Sequence, residues 1–286
     1  VVPNCARGVL EHSGLVDECI SLEHWSPVGK TFGAAIALSP RTATYKLASA
    51  TKARIRAGYY YSERPLAKLG CRWWLTHSLG LPIRKLLLSG QRVPHEIEQH
   101  RLFADHLGLV NLPLQTELTV PDQDLEWAKT LPNGPLVGLH LSPNWLSGGW
   151  SVEQLADLCR TIPQCIVSAG PAEARLVNQL QSLQPWEIPI YSGLSLSRWA
   201  ALLGACRVVV STDTGAVHVA ASQGRPVVVA FKPDQEDICS QQWHPWAVPF
   251  RRVTLGDYER TKLSILEALG GLTSVVDLGL SPHCTS

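Results

Sequence analysis

Several absences narrow the kinds of protein this chain can be. It contains no methionine and opens Val-Val-Pro-Asn, so no initiator residue stands at its start. No apolar run reaches the ~18–20 residues that a bilayer-spanning helix needs, and no signal-peptide pattern opens the chain. We therefore expect a cytoplasmic protein, in which any membrane contact is peripheral, at the inner face of the cytoplasmic membrane.

Cysteines are present, but not in the patterns of a redox or metal site. Eight occur, none forms C-x-x-C, and none stands beside histidine at the spacing of metal ligands. Several lie in apolar runs, for example Cys206 before Val208–Val210. We interpret them as reduced thiols of a cytosolic protein, and we expect no metal and no bound cofactor.

An excess of charge of one sign is also missing. The chain has 25 Lys and Arg against 24 Asp and Glu, a formal net charge of +1, which gives no electrostatic reason to expect a nucleic-acid partner. A solvated basic face is the simpler interpretation of the cluster of cations within 41–101, and a surface for an anionic acceptor or anionic lipid headgroups is the alternative. Its members are Arg41, Lys46, Lys52, Arg54, Arg56, Arg64, Lys68, Arg72, Arg84, Lys85, Arg92 and Arg101.

The chain does have enough apolar residues for a sizeable core, with 45% hydrophobic and 17% charged residues over 286 positions. From residue 135 onward, short β-branched runs alternate with helical patterns. The predicted strands cover 135–142, 164–170, 189–193, 207–212 and 225–231, and the predicted helices cover 151–162, 171–183, 196–206 and 215–224. A loop is predicted over 143–149, between the first of these strands and the first of these helices. This alternation predicts a doubly wound α/β fold, with a parallel sheet and helices on both faces.

The first part of the chain is less regular. Its predicted strands cover 33–39 and 54–59, its predicted helices cover 41–52 and 94–108, and we expect 62–95 to be irregular. Residues 110–124 are extended and contain prolines, which is typical of a linker. We therefore predict an N-terminal domain over 1–120 and a C-terminal domain over 121–286.

The strongest local motif is Ser-Thr-Asp-Thr-Gly at 211–215, where a predicted strand ends and a helix begins. Ligands of open α/β sheets bind beyond the carboxyl ends of the strands, and a helix N-terminus offers free N–H groups to phosphate. Gly215 lets a ligand approach the backbone, and His218 lies about one turn later. The alternative is that Asp213 only caps the helix and His218 is an ordinary helical histidine.

The wider pattern resembles glycosyltransferase family 9, the heptosyltransferase-like family. That family has a G-x-x-E element, a glycine-led helix, and a strand ending in [ST]-x-D-[ST]-G-x-x-H-x-A-A-x-x-G-x-P-V-V. The counterparts here are Gly-Pro-Ala-Glu at 170–173, the stretch 193–206, and the stretch 211–231, followed by a Trp-rich tail at 242–253. The resemblance is specific over about 137–256 and looser over about 1–108.

The resemblance implies two Rossmann-like domains facing a cleft, the GT-B arrangement, with the acceptor at the N-terminal domain over 1–120 and a nucleotide-sugar donor in the C-terminal domain over 121–286. It implies that Asp213 accepts hydrogen bonds from sugar hydroxyls, and that Thr214 and Gly215 offer N–H groups to the diphosphate. Ser142 and His218 would also contact phosphate. Glu173 would lie near the ribose, although it is equally interpreted as an acid in the first turn of a helix.

The chemistry that the resemblance implies is inverting sugar transfer. A carboxylate base takes the acceptor proton, and helix dipoles and basic groups stabilise the leaving diphosphate without a metal. The implied donor is a heptose-like ADP-sugar, and the implied acceptor is lipopolysaccharide or another envelope glycolipid or polysaccharide. The only D-x-D pattern of the kind that holds a metal-diphosphate, at Asp122 and Asp124, falls in the predicted linker and is discounted.

Two departures from the family pattern bear on activity. The Gly-Asp turn that carries the family's base is not found, so we expect a first β-α unit and the base upstream of Val1, and we name no catalytic residue. The family's K-x-W reads Gly148-Gly149-Trp150 here, and Lys232 is a candidate replacement cation, although an exposed loop lysine is the simpler interpretation. A non-catalytic binding or scaffold protein with the donor fold, and a nucleotide-sugar epimerase, therefore remain as alternatives.

Overall fold

The computed structural model describes residues 1–2, 7–10, 13–134, 136–183 and 186–277, with the side chains of 275–277 left aside. Its contacts divide the chain into two compact units. The first comprises Val1–Asn4 and Ile20–Gln115, and the second comprises Cys5–Cys19 and Thr116–Ser286. The short helix α1 (Arg7–Leu10) belongs to the second. The acceptor and donor roles assigned to 1–120 and 121–286 stay predictions.

The first unit is built on a three-stranded parallel sheet in the order β1 (Ala34–Ala37), β2 (Ile55–Tyr61), β3 (His77–Leu81). The crossover helices α2 (Thr42–Ala50) and α3 (Pro65–Trp74) pack on each other and cover one face. Alternation along β2 turns the buried Tyr59 to the other face. There its ring contacts His100 and Phe103 of α5 (Glu96–His106).

The prediction that 62–95 is irregular is wrong, because this stretch contains α3, β3 and a further helix, α4 (Ile83–Leu88). Helix α3 does have helical spacing, at Leu66, Leu69 and Trp73, but these large residues lie on its exposed side, and its buried residues are the small Ala67, Gly70 and Cys71. Strand β3 escapes a pattern-based prediction because His-Ser-Leu-Gly-Leu contains no β-branched residue.

The second unit is built on six parallel strands: β4 (Val137–His140), β5 (Cys165–Ala169), β6 (Ile190–Ser192), β7 (Val208–Thr212), β8 (Val227–Phe231) and β9 (Phe250–Thr254). Their order in the sheet is β6-β5-β4-β7-β8-β9, the 3-2-1-4-5-6 order of a dinucleotide-binding α/β fold. Leu139 of β4 pairs with Val167 of β5 and Val210 of β7. Strands β4, β5, β7 and β8 are buried throughout, as strands covered on both faces must be.

Helices cover both faces of this sheet, which confirms the predicted fold class. The remaining helices are α6 (Asp122–Ala128), α7 (Pro143–Ser147), α8 (Val152–Thr161), α9 (Ala174–Ser182), α10 (Leu196–Ala205), α11 (Gly215–Ser222), α12 (Glu236–Gln242) and α13 (Tyr258–Asp277). Helices α8, α9 and α13 bury one core, and α10, α11 and α12 bury the other.

Local signals account for several element boundaries in this unit. Ser151 and Gln154 form a capping box at the start of α8, and Ser195 caps α10. Gly224 follows α11 at φ +70°, a conformation that favours glycine. The loop predicted over 143–149 is partly wrong, because it contains α7, which begins with Pro143 after the capping Ser142.

Candidate functional site

The six-stranded sheet has its topological switch point between β4 and β7. These strands are neighbours in the sheet. From β4 the chain goes to β5 and β6 on one side, and from β7 it continues to β8 and β9 on the other side. Because the connections leave in opposite directions, a crevice opens beyond the carboxyl ends of β4 and β7, and this is where ligands of such sheets bind. The segments 141–144 and 213–215 begin at that edge.

Direct hydrogen bonds join the two segments. Ser142 Oγ and Thr212 Oγ1 lie 2.7 Å apart, and Asn144 Nδ2 donates to the Asp213 carbonyl at 3.2 Å. Ser142 Oγ also accepts from the Asn144 backbone at 3.2 Å, and this hydroxyl is buried. In this arrangement Ser142 fixes the two segments to each other. Its predicted contact with phosphate stays a prediction, and Asn144 is a site residue that the sequence interpretation missed.

Helix α11 begins with its first turn open. Thr214 is the N-cap residue but makes no side-chain cap, because its hydroxyl pairs with Ser211 Oγ at 3.0 Å. Gly215 is exposed, and a Cβ added there would meet nothing within 4 Å. Neither packing nor a left-handed backbone requires glycine at this position. The open space beside the first-turn N–H groups leaves room for an anion.

Asp213 is the centre of a small titratable cluster. Burial raises the pKa of its carboxyl, while a hydrogen bond from the Cys239 thiol and the nearby charge of His218 oppose that rise. Desolvation of its ring lowers the pKa of His218, although part of the residue is open to solvent. The charge of Asp213 opposes this shift, and that of His244 adds to it. Cys239 lies on α12, and nothing in its sequence surroundings signals a place beside Asp213.

Glu173 lies at the end of β5, in the single 3₁₀ turn Pro171–Glu173. It is half-buried, and its carboxylate turns back over the preceding loop, since a Cβ added at Gly170 would lie 2.6 Å from Glu173 Oε2. It makes no side-chain cap for α9. The structure therefore places Glu173 at the carboxyl edge of the sheet, one strand away from β4, and its predicted contact with ribose stays a prediction.

A buried histidine, His140, lies at the end of β4, the strand between those that precede Glu173 and Asp213. His140 Nδ1 is 3.0 Å from Ser168 Oγ, which also accepts from Trp199 Nε1 at 3.3 Å. The Trp199 and His140 rings are 5.1 Å apart. Burial lowers the pKa of His140 to about 4, so its ring is neutral at pH 7. The sequence interpretation assigned His140 only to a buried strand.

The departure from the family's K-x-W has a physical counterpart at Gly148 and at Lys232. Lys232 directly follows β8, is half-buried, and has an ammonium that no hydrogen bond or ion pair engages within the described part of the chain. Gly148 packs against Leu255 so closely that a Cβ there would overlap its buried side chain. Trp150 is buried and donates to the Gly256 carbonyl at 3.0 Å. A lysine at 148 would therefore require Leu255 to move.

The D-x-D pattern has a different role from metal binding. Asp122 and Asp124 lie in the first turn of α6, where acids favour the helix dipole. Asp124 is buried and accepts from Ser197 Oγ at 2.6 Å, with Arg198 Nε at 3.4 Å. Among the residues that the structure describes, no group of three or more His, Cys, Asp or Glu side chains could hold a metal ion.

Membrane-spanning capacity is also absent from the described helices. Even the longest of them, the twenty-residue α13, does not combine the length and apolar character needed to cross a bilayer.

One protein family matches most of the chain. Residues 29–269 match the model of glycosyltransferase family 9 (heptosyltransferase). A curated relative, the lipopolysaccharide core heptosyltransferase OpsX of Haemophilus influenzae, is 25% identical over 144 residues. That alignment covers 47% of this chain and 42% of the relative, so the chain matches less than half the length of this protein.

Solved structures share the fold at low sequence identity. The E. coli ADP-heptose lps heptosyltransferase II superposes with a TM-score of 0.71 and 18% identity, over 96% of this chain and 88% of that chain. The E. coli heptosyltransferase WaaC with ADP-2-deoxy-2-fluoro heptose gives a TM-score of 0.57 and 17% identity, over 85% and 73% of the two chains. These likenesses concern the fold, and they agree with the predicted pair of Rossmann-like domains of the GT-B class.

Proposed function

The chain belongs to glycosyltransferase family 9, and on that basis we propose that it transfers a sugar from a nucleotide-diphosphate donor to an envelope glycan. The transfer inverts the anomeric centre and uses no metal. The acceptor is lipopolysaccharide or a related glycolipid or polysaccharide, in line with the similar lipopolysaccharide core heptosyltransferase of Haemophilus influenzae.

A single observation carries this proposal. The uncapped start of α11 and the segment after β4 are bonded together at the switch point of the sheet. A diphosphate needs N–H donors, a positive helix end and nearby cations. Gly215 leaves the helix start open, and the Lys232 ammonium follows the adjacent strand β8. These features fit the diphosphate end of a nucleotide-sugar.

We assign the donor contacts along this edge. The Thr214 and Gly215 backbones donate to the diphosphate, with His218 and Lys232 as nearby partners and Ser142 beneath them. Asp213 accepts from sugar hydroxyls, and Glu173 accepts from the ribose. An ADP-sugar, heptose-like, is the proposed donor, because the similar WaaC structure holds ADP-2-deoxy-2-fluoro heptose. We assign no catalytic base to a described residue.

The alternative function is donor binding without transfer, in a scaffold role. The packing at Gly148 favours it, because the family's K-x-W lysine has no room beside Leu255. A binding protein and an enzyme would share the donor site and differ only in turnover.

Calorimetric titration with ADP tests the donor site. We expect ADP to bind, and Lys232→Ala to weaken binding by about tenfold, the loss of one charge-assisted contact. Gly215→Ala should also weaken binding, because its methyl group would occupy the open space proposed for the anion. It should not lower stability, because that methyl group would contact no other part of the protein. Lys129→Ala is the matched control, since Lys129 is an exposed lysine paired with Glu126 on α6.

Turnover then separates the two functions. Incubation with ADP-heptose and a lipopolysaccharide-core acceptor, followed by measurement of released ADP, should show transfer by the enzyme. Binding of ADP without transfer would fit the scaffold alternative but would not establish it, because no catalytic base is assigned to a described residue. No affinity for any nucleoside diphosphate would overturn the proposed donor site itself.

A further inference from the structure

Helix α3 in the first unit presents an apolar face to solvent. Leu66, Leu69 and Trp73 are 81%, 64% and 80% exposed. Their spacing of i, i+3 and i+7 places them along one side of the helix. Isolated exposed apolar residues are ordinary, but three large ones aligned along one helix form a contiguous surface that calls for an occupant.

This face is not the core-facing side of the helix. Helix α3 already buries Ala67, Gly70 and Cys71 against α2 and the sheet. Gly70 leaves space for Trp74, whose ring approaches within 2.7 Å of where a Cβ at Gly70 would lie. The exposed apolar face is therefore a second apolar surface, separate from the side that packs against α2 and the sheet.

Positive charge flanks the exposed apolar face. Lys68 and Arg72 are exposed one turn apart, Arg64 precedes the helix, and α3 itself contains no acidic residue. Over 41–101 the chain has 12 lysines and arginines against 3 acids, whereas the remainder has 13 against 21. The near-zero net charge thus conceals a strongly basic region, and α3 lies within it.

We infer that α3 docks the first unit onto an anionic lipid surface. Trp73 suits the headgroup level, where an amphipathic ring meets both apolar and wet surroundings. Leu66 and Leu69 insert beside it, while Lys68 and Arg72 extend their charged ends to lipid phosphates. The inference depends on the surface of α3 and not on the donor site of the second unit, so the two proposals can fail separately.

Charge favours a membrane over a second copy of the chain. A symmetric contact through this face would place the same surface on both partners. The cations beside the apolar residues would then face their own kind, and like charges across an interface oppose association. An anionic bilayer complements the apolar residues and the cations at once.

Vesicle flotation tests the inference with the full chain. Wild-type protein should float with vesicles of phosphatidylcholine mixed with phosphatidylglycerol, and its bound fraction should fall with added salt and on phosphatidylcholine alone. The triple variant Leu66→Gln, Leu69→Gln, Trp73→Gln should lose more than about tenfold in affinity. Lys68→Gln with Arg72→Gln should lose roughly tenfold.

Control variants distinguish docking on lipid from loss of folding and from self-association. Leu263→Gln removes a leucine that is 66% exposed on α13 of the second unit, and it should float like wild type. ADP affinity and thermal unfolding should be unchanged in every variant, because each position is exposed. Absence of wild-type flotation, or flotation of the triple variant at wild-type affinity, would overturn the inference. Self-association in ultracentrifugation that disappears only in the triple variant, without lipid binding, would instead assign the face to a second copy.

Discussion

His140 lies buried at the end of β4, and its chemistry is set by that burial. Its ring contacts Trp199 and pairs with Ser168, and its pKa is lowered to about 4. The folded state therefore resists protonation of a group that the unfolded chain protonates near its ordinary pKa of 6.5. The consequence is a stability that depends on pH in a defined window.

Stability of the second unit should fall as pH drops from 6.5 towards 4. In that window the unfolded state binds a proton that the folded state refuses, so the free energy of unfolding decreases on acidification and is restored above pH 6.5. The full window is worth roughly 3 kcal/mol. Urea unfolding between pH 7 and pH 4.5 measures it. His140→Asn should flatten this part of the profile. An unchanged profile in His140→Asn would contradict the assignment.

At the scale of elements, a capping box within four residues fixes the start of α8, a helix that packs into the core. Ser151 Oγ accepts from Gln154 N at 3.2 Å, and Gln154 Oε1 accepts from Ser151 N at 2.9 Å. These bonds satisfy two donors at the helix start. The helix that they start buries Leu155 and Leu158 in the core.

Ser151→Ala should lower the free energy of unfolding by about 1 kcal/mol, the usual cost of removing an N-cap hydroxyl. Denaturant titration measures the change. Ser264→Ala is the comparison, because Ser264 is half-buried within α13 and donates to the carbonyl of Arg260, one turn earlier in the same helix. Equal effects of the two substitutions would show that the cap contributes nothing beyond helix propensity.

For the whole molecule, the segment between α5 and α6 is the natural place for cleavage. It contains no helix or strand in the described chain, and Leu109, Val110 and Leu112 are exposed. Backbone without regular hydrogen bonds is the preferred substrate of proteases. The contacts divide near residue 115 in the same segment.

Limited digestion with elastase should therefore cut first near Val110 and release two fragments. Sequencing the new N-terminus and weighing the fragments by mass spectrometry locates the cut. Val110→Asp should slow cleavage at this position and leave later cuts unchanged. A first cut inside the six-stranded unit would argue against two independently compact units.

The fold of the second unit follows closely from the sequence, whereas that of the first does not. Runs such as Val208–Val210 and Val227–Val229 are apolar throughout because their strands are covered on both faces. Helix starts in this unit are signalled by Ser151 and Ser195. In the first unit, α3 has helical spacing, but its large apolar residues lie on the solvent side and its buried residues are small.

The sequence by itself determined the α/β class, the strands β4 to β8 and the helices α8 to α11 of the second unit, and the motif around Asp213, but it did not indicate α6, α7, α12 or β9. Only the tertiary structure decided which distant residues meet. Ser142 and Thr212 are 70 positions apart and bond because β4 and β7 are neighbours in the sheet. Cys239 reaches Asp213 and Leu255 closes the space at Gly148 for the same kind of reason. Local patterns follow from backbone and side-chain preferences along the chain, while contacts across a sheet depend on strand order, which no local preference encodes.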